Sequence, residues 1–446
     1  MNSVPKPPPK SPPKSLITPA TFAATEYDII VGGGGPGGAA VATLIAQQGY
    51  RTLLIERSSE PAFKIGESLM PATYWIFDRL GVLDQMKASH FAKKYSVQFF
   101  SSDGKASTPF YFRDHDDHES SQTWQVLRSE FDQMLLDNAE AQGVEVQRGV
   151  TLKDVLFEGD RAVGARVSRS VGDSIDLASR VFVDATGQRA FLAGKLGLLE
   201  IEPRLKHASF FAHFKGGFRD QGVDEGATLI FHTDGRKSWF WSIPLPDDTV
   251  SIGVVGDIGH LILGRSRDPQ KVFEEELAHC PALAARLEDA EQAMPMRATR
   301  DFSYRSSQGA GNGWVLVGDA GGFIDPVYST GVFLALKSGE MAADAICAGL
   351  ETGDLSEQSL GSFLARYRDG VDAMSQLVYA FYNPSFSFAR FLARHPDCRG
   401  ELVDMLVGNV YRKPLARIRA ALAEEAAPAL QPAKAGVSTA IDQIPL

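Results

Sequence analysis

Cysteine is scarce in this 446-residue chain, with Cys280, Cys347 and Cys398 as the whole complement. They are odd in number, lie far apart and show no CxxC spacing. That excludes a disulfide framework or a cysteine-rich zinc site and suits a reducing cytoplasm. Apolar runs are too short for a membrane span. Positive charge is in deficit, 45 Lys+Arg against 55 Asp+Glu for a net charge of -10, and no basic stripe stands out. Nucleic acid is thereby excluded as the main partner. There is no internal repeat. Residues 1–26 are rich in Pro and Lys and lack the apolar segment of a signal peptide, so they read as a flexible tail. Residues 426–446 read the same way. The whole chain is 44% apolar, enough for a large core and two or three structural units.

Chemistry begins at Tyr27. Asp28-Ile29-Ile30-Val31 is a short buried-strand pattern, and Ala39-Ala40-Val41-Ala42 starts a helix. Between them lies GxGxxG, carried by Gly33, Gly35 and Gly38. Such glycines let the backbone turn tightly and approach a pyrophosphate, whose charge rests on helix N-terminal amides. A second strand, Arg51 to Ile55, delivers Glu56 about twenty residues on, where a carboxylate accepts ribose hydroxyls. A glycine-rich turn with no ligand is the plainer reading, and strand, helix and acid together disfavour it. Two later strands end in Asp184-Ala185-Thr186-Gly187 and in Gly318-Asp319-Ala320. The second runs through Asp325-Pro326 into a long alanine-rich helix from about Gly331.

These three motifs, in this order, resemble the FAD-binding fold of the aromatic hydroxylases, geranylgeranyl reductases and flavin-dependent halogenases. The expected fold class is therefore α/β, a Rossmann-like FAD-binding fold with a β-sheet substrate domain and a C-terminal helical region. The resemblance implies that Asp319 meets the ribityl chain, that Arg128 lies near the FAD, and that Asp184, Gly187 and Gly318 are cofactor-binding. Four further features are similar to the halogenases that act on phenols and pyrroles. They are Gly66-Glu67-Ser68-Leu69-Met70-Pro71, the second lysine of Lys93-Lys94, the WxWxIP of Trp239-Phe240-Trp241-Ser242-Ile243-Pro244, and Ser329-Thr330-Gly331. The resemblance runs from Tyr27 to about Tyr411.

A role for each follows from that likeness. Halide is oxidised to hypohalous acid at reduced FAD with oxygen, and chloride or bromide would rest on the amides of Thr330 and Gly331. Trp239 and Trp241 would wall off the flavin. Lys94 would hold the oxidant by hydrogen bond or as a chloramine and aim it at one carbon of an electron-rich ring. Gly66, Glu67 and Ser68 would lie as a strap across the cofactor. No second dinucleotide loop is present, so a separate flavin reductase is expected to supply reduced FAD. Tyr328 stands where the tryptophan halogenases carry an acid, which argues for a phenol or pyrrole, free or tethered to an acyl-carrier protein.

Plainer readings stand beside these. Out of context, Lys93-Lys94 is a solvated pair and the two tryptophans are strand core. Asp114-His115-Asp116-Asp117-His118-Glu119 looks like a cation site but reads better as a solvated loop. His207 and His213 read as structural. The aromatic run from Tyr379 to Phe391 fits helix packing before a substrate pocket. An FAD-dependent monooxygenase or geranylgeranyl-reductase-like enzyme shares the FAD motifs without needing Lys94 or the paired tryptophans. An inert flavin-binding scaffold is the third reading. The expected organisation is an FAD domain at 27–200 and 300–350, a sheet-rich substrate domain at 201–299 and a helical region at 351–425.

Overall fold

A computed structural model describes residues 27–60, 62–169 and 173–426; both expected tails fall outside the described residues, except the last helical position of the second. Five strands run parallel in the order Trp314–Leu316, Ile175–Asp184, Tyr27–Gly32, Thr52–Glu56 and Glu145–Arg148. Most of their side chains are buried on both faces, as parallel strands under helices must be. One covering helix, Pro36–Ala46, leaves the glycine loop, and the 23-residue helix Thr330–Thr352 packs on it. Their approach is close because the contact is made by glycines: a Cβ on Gly339 would stand 2.7 Å from the carbonyl oxygen of Gly37.

A second sheet is mostly antiparallel. Its central strands are His207–Lys215, Thr249–Asp257, Ser238–Leu245 and Thr228–His232, in that order. Ser96–Phe100 joins its far side in parallel with Thr228–His232, so the sheet draws on chain outside 201–299. Period-two alternation sorts its side chains. Phe210, Phe231, Phe240, Ile252 and Val254 pack on Val272 and Phe273 of the helix Pro269–Ala278. Phe211, Ile230, Trp239, Trp241, Ile243 and Val255 face the nucleotide-binding layer. Each large apolar side chain so buried contributes roughly 1.5–3 kcal/mol relative to exposure. The C-terminal helices Leu364–Tyr382, Phe388–Arg394 and Arg399–Val407 close over the same side. No helix among the described residues is long and apolar enough to cross a membrane.

Candidate active site

The two sheets meet over a cavity of about 510 Å³, within the ~300–1,000 Å³ usual for cofactor sites. Its wall begins at the glycine loop. Gly33 has φ +112°, and a Cβ there would stand 2.3 Å from the carbonyl oxygen of Ala185; a Cβ on Gly38 would stand 1.9 Å from that of Gly33. Only glycine permits this crossing of strand end and helix start. A Cβ on Gly35 would meet nothing within 4 Å, and Gly35 lines the cavity as the uncapped N-cap of its helix. The exposed amides and the concavity fit a pyrophosphate.

Glu56 also lines the cavity, but its carboxylate accepts from the amides of Gly34 at 2.8 Å and Ser58 at 2.9 Å. Each oxygen keeps lone pairs for a ribose hydroxyl. Asp184 is different. It is fully buried, and its two oxygens accept from the amides of Thr186 at 2.9 Å and Leu192 at 2.7 Å. It braces the turn that presents Gly187 to the cavity and does not itself line it. Gly318, at φ +62°, and Asp319 also line the cavity. Burial lifts the Asp319 carboxyl to about 6 against the opposing pull of Arg128. Arg128 is itself clamped, with two bonds to Asp132 at 2.9 and 3.1 Å and one to the carbonyl of Ile65 at 2.6 Å. Gly66 lies over that guanidinium at φ +105°.

The strap crosses from the cavity to the second sheet. Val126 donates to the Glu67 carbonyl at 2.7 Å, and Glu67 Oε1 meets His213 Nε2 at 2.5 Å while Oε2 stays buried without a partner. Ser68 Oγ shares a hydrogen bond with Thr228 Oγ1 at 3.0 Å and accepts from Lys94 Nζ at 2.8 Å. Lys94 donates also to the carbonyl of Leu69 at 3.2 Å and is 3% exposed. It ends a short strand, Ala92–Lys94, with Lys93 turned outward and no carboxylate among the described residues against Lys94. Burial pulls its ammonium down to about 7. The second lysine is therefore no solvated surface cation.

Trp239 and Trp241 occupy alternate positions of one strand, rings 6.3 Å apart, and both line the cavity. Trp241 Nε1 donates to Ser251 Oγ at 3.1 Å, and Trp239 Nε1 to Tyr382 Oη at 3.0 Å. On the facing side, Ser329 adopts a left-handed conformation, φ 59° and ψ 30°, at the head of the helix Thr330–Thr352 and makes no side-chain cap. The first-turn amides are thus left for another partner. Gly331 lines the cavity; Thr330 lies just behind it, buried, with its hydroxyl unpartnered.

Other candidates disperse. His115 pairs with Asp404, His118 stacks on Trp75, and Glu119 bonds Tyr74 and Lys87, so the acidic-histidine run is tied to four different neighbours. Tyr379 pairs with Glu202 and Arg204, whereas Phe381 packs edge-on to Trp239. Tyr382 stands in the aromatic run already noted; sequence reasoning missed Thr228, Ser251, Gly253, which faces Trp241 across the sheet, and His213 as the partner of Glu67. Each acts by register or by a long-range contact, and no local pattern marks it.

The chain matches the family described as tryptophan halogenase over residues 114–387 and that described as FAD dependent oxidoreductase over residues 28–194. It is 33% identical over 389 residues to the 1H-pyrrole-2-carbonyl-(peptidyl-carrier protein) brominase of Pseudoalteromonas luteoviolacea, covering 86% of this chain and 92% of that protein. The corresponding chlorinase of Pseudomonas fluorescens is 28% identical over 408 residues, covering 86% and 90%. Among solved structures, a flavin-dependent brominase superimposes with a TM-score of 0.79 at 31% identity, covering 89% of this chain and 98% of the other. The chain belongs to the flavin-dependent halogenases. It is an FAD-dependent enzyme of oxidoreductase type, and the halogenase reading prevails over the monooxygenase and reductase alternatives.

Proposed function

We propose that this enzyme halogenates an electron-rich pyrrole- or phenol-type ring tethered to a carrier protein, with Lys94 delivering the halogen. The observation that carries the delivery role is the placement of Lys94: buried, free of carboxylates, and joined to the cavity through Ser68. The tether is supported by the two carrier-protein relatives, and the ring class by Tyr328 in place of an acid. Chloride and bromide are both used among those relatives.

FAD supplies, when reduced and in the presence of oxygen, the oxidising power that turns halide into hypohalous acid. Gly33, Gly35, Gly38 and Glu56 would hold its pyrophosphate and ribose, with Arg128, Asp319, Gly187 and Gly318 around the rest and the strap Gly66-Glu67-Ser68 across it. Halide would be held, desolvated, by the amides of Thr330 and Gly331. Trp239 and Trp241 keep the ring to be halogenated away from the cofactor. A neutral Lys94 amine attacks hypohalous acid, gaining N–X and releasing water, or steers it by hydrogen bond. Either way the oxidant is held at one point, and only a ring carbon placed there reacts. A separate flavin reductase and a cytoplasmic setting complete the proposal.

Mass spectrometry of turnover tests it. Protein, FAD, a flavin reductase with NADH, and bromide or chloride are given pyrrole-2-carbonyl on a carrier protein, and the same ring free. Halogenated carrier-bound product that vanishes in Lys94→Ala is expected. Product that survives Lys94→Ala would overturn delivery, and oxygenated product regardless of halide would overturn the reaction.

A further inference from the structure

The C-terminal helix Leu364–Tyr382 enters the site through its last residue. Tyr382 Oη accepts from Trp239 Nε1 at 3.0 Å and donates to the Asp325 carboxylate, whose two oxygens both lie at 3.1 Å. Asp325 is wholly buried, and its Oδ1 also accepts from the amide of Val327 at 3.0 Å. It therefore anchors the turn Pro326 to Ser329 that launches the helix at Thr330. His207 stacks on Tyr382 with ring centroids 4.1 Å apart, and its Nδ1 lies 3.3 Å from Asp325 Oδ2. The phenol is thus held on one face by His207 and at its oxygen by Trp239 and Asp325. Burial, with the adjacent Asp325, keeps it protonated, so that it retains the hydrogen it gives to the carboxylate.

One carboxylate consequently braces two parts of the site that come from different layers. Without the phenol, the indole N–H of Trp239 would lose its acceptor in a buried setting, an outcome that favours rotation of the ring. We propose that Tyr382 is a positioning residue for halogenation, fixing Trp239 and locking it through Asp325 to the turn that begins the helix at Thr330. The inference rests on the halogenase reading above: a fixed Trp239 keeps the wall closed, so that hypohalous acid passes to the substrate and does not escape.

Tyr382→Phe keeps the ring and removes only the hydroxyl. Two readouts decide. In protein labelled with 15N-tryptophan, the indole N–H resonance of Trp239, identified by its loss in Trp239→Phe, should shift upfield in Tyr382→Phe while the other indole signals stay. In turnover, halogenated product per reduced FAD consumed should fall roughly three- to tenfold, the loss expected for one hydrogen bond. Hypohalite trapped in solution should rise by the amount of product lost, with substrate KM near wild type. A Trp239 signal that stays put overturns the contact. A signal that moves with undiminished coupling overturns the positioning role. Wild-type protein that makes no halogenated product at all would sink the function instead, and the resonance arm would still decide the hydrogen bond.

Discussion

Gly253 lies directly across from Trp241 on neighbouring antiparallel strands, and the indole occupies the space its side chain would fill. A Cβ on Gly253 would stand 2.2 Å from Trp241 Cζ2 and 2.7 Å from Phe211 Cβ. Gly253→Ala therefore forces the indole outward. Destabilisation of about 1–3 kcal/mol is expected from overpacking, read by denaturant unfolding, together with a lower yield of halogenated product per reduced FAD. Unchanged stability and coupling would show that the ring has room to spare.

Lys94 links stability to pH. Its ordinary value of 10.5 falls to about 7 on burial. Between those two values the unfolded chain binds the extra proton, so stability rises with pH across that window and the buried amine costs most at and below neutral pH. Lys94→Met should raise stability near pH 7 by on the order of 3 kcal/mol, and the gain should shrink as pH approaches 10. The wild-type rate should climb as pH rises through about 7 if the neutral amine is the working form. A gain independent of pH would contradict the depressed ammonium.

Arg128 depends on Asp132 for its charge balance, both being almost fully buried. Asp132→Ala leaves the guanidinium with the Ile65 carbonyl and the distant Asp319 and Glu67 charges. Breaking such a pair costs about 3–5 kcal/mol, which should appear as a lower unfolding midpoint. Because Arg128 also holds Ile65 ahead of the strap, FAD affinity should fall in parallel, measured by flavin fluorescence.

Gly33→Ala combines a left-handed backbone position with a clash against Ala185. The positive-φ penalty of about 1–2 kcal/mol falls on folding, and the clash displaces the turn that would hold the pyrophosphate, so both the unfolding midpoint and FAD affinity should fall. Gly81→Ala, also at positive φ but with open space around it, serves as the comparison and should leave FAD affinity near wild type.

The glycine loop, its acid and the motif Gly318-Asp319-Ala320 were legible because a pyrophosphate-binding turn is a local object, made by neighbours in sequence. Trp239 and Trp241 were legible for the same reason, since alternation along one strand sends both to one face. Lys94 is legible only through resemblance; its own surroundings suggest a solvated pair, and nothing near it in sequence announces the burial that pulls its ammonium down toward neutral pH. Asp184 belongs to a motif just as local, and it is the fold that sets its oxygens on the amides of Thr186 and Leu192, bracing the turn before Gly187.

By itself, then, the sequence determined the nucleotide-binding turns, the strand faces and the chemical kinds of residue available for halogen transfer, all set by short-range sterics and side-chain period. The tertiary structure decided how those parts meet. It placed Ser68 between Lys94 and Thr228, His213 against Glu67, Gly253 beneath Trp241 and Tyr382 between Trp239 and Asp325. Each joins segments far apart in the chain, whose encounter depends on sheet register and helix docking, and that information is spread over the whole core.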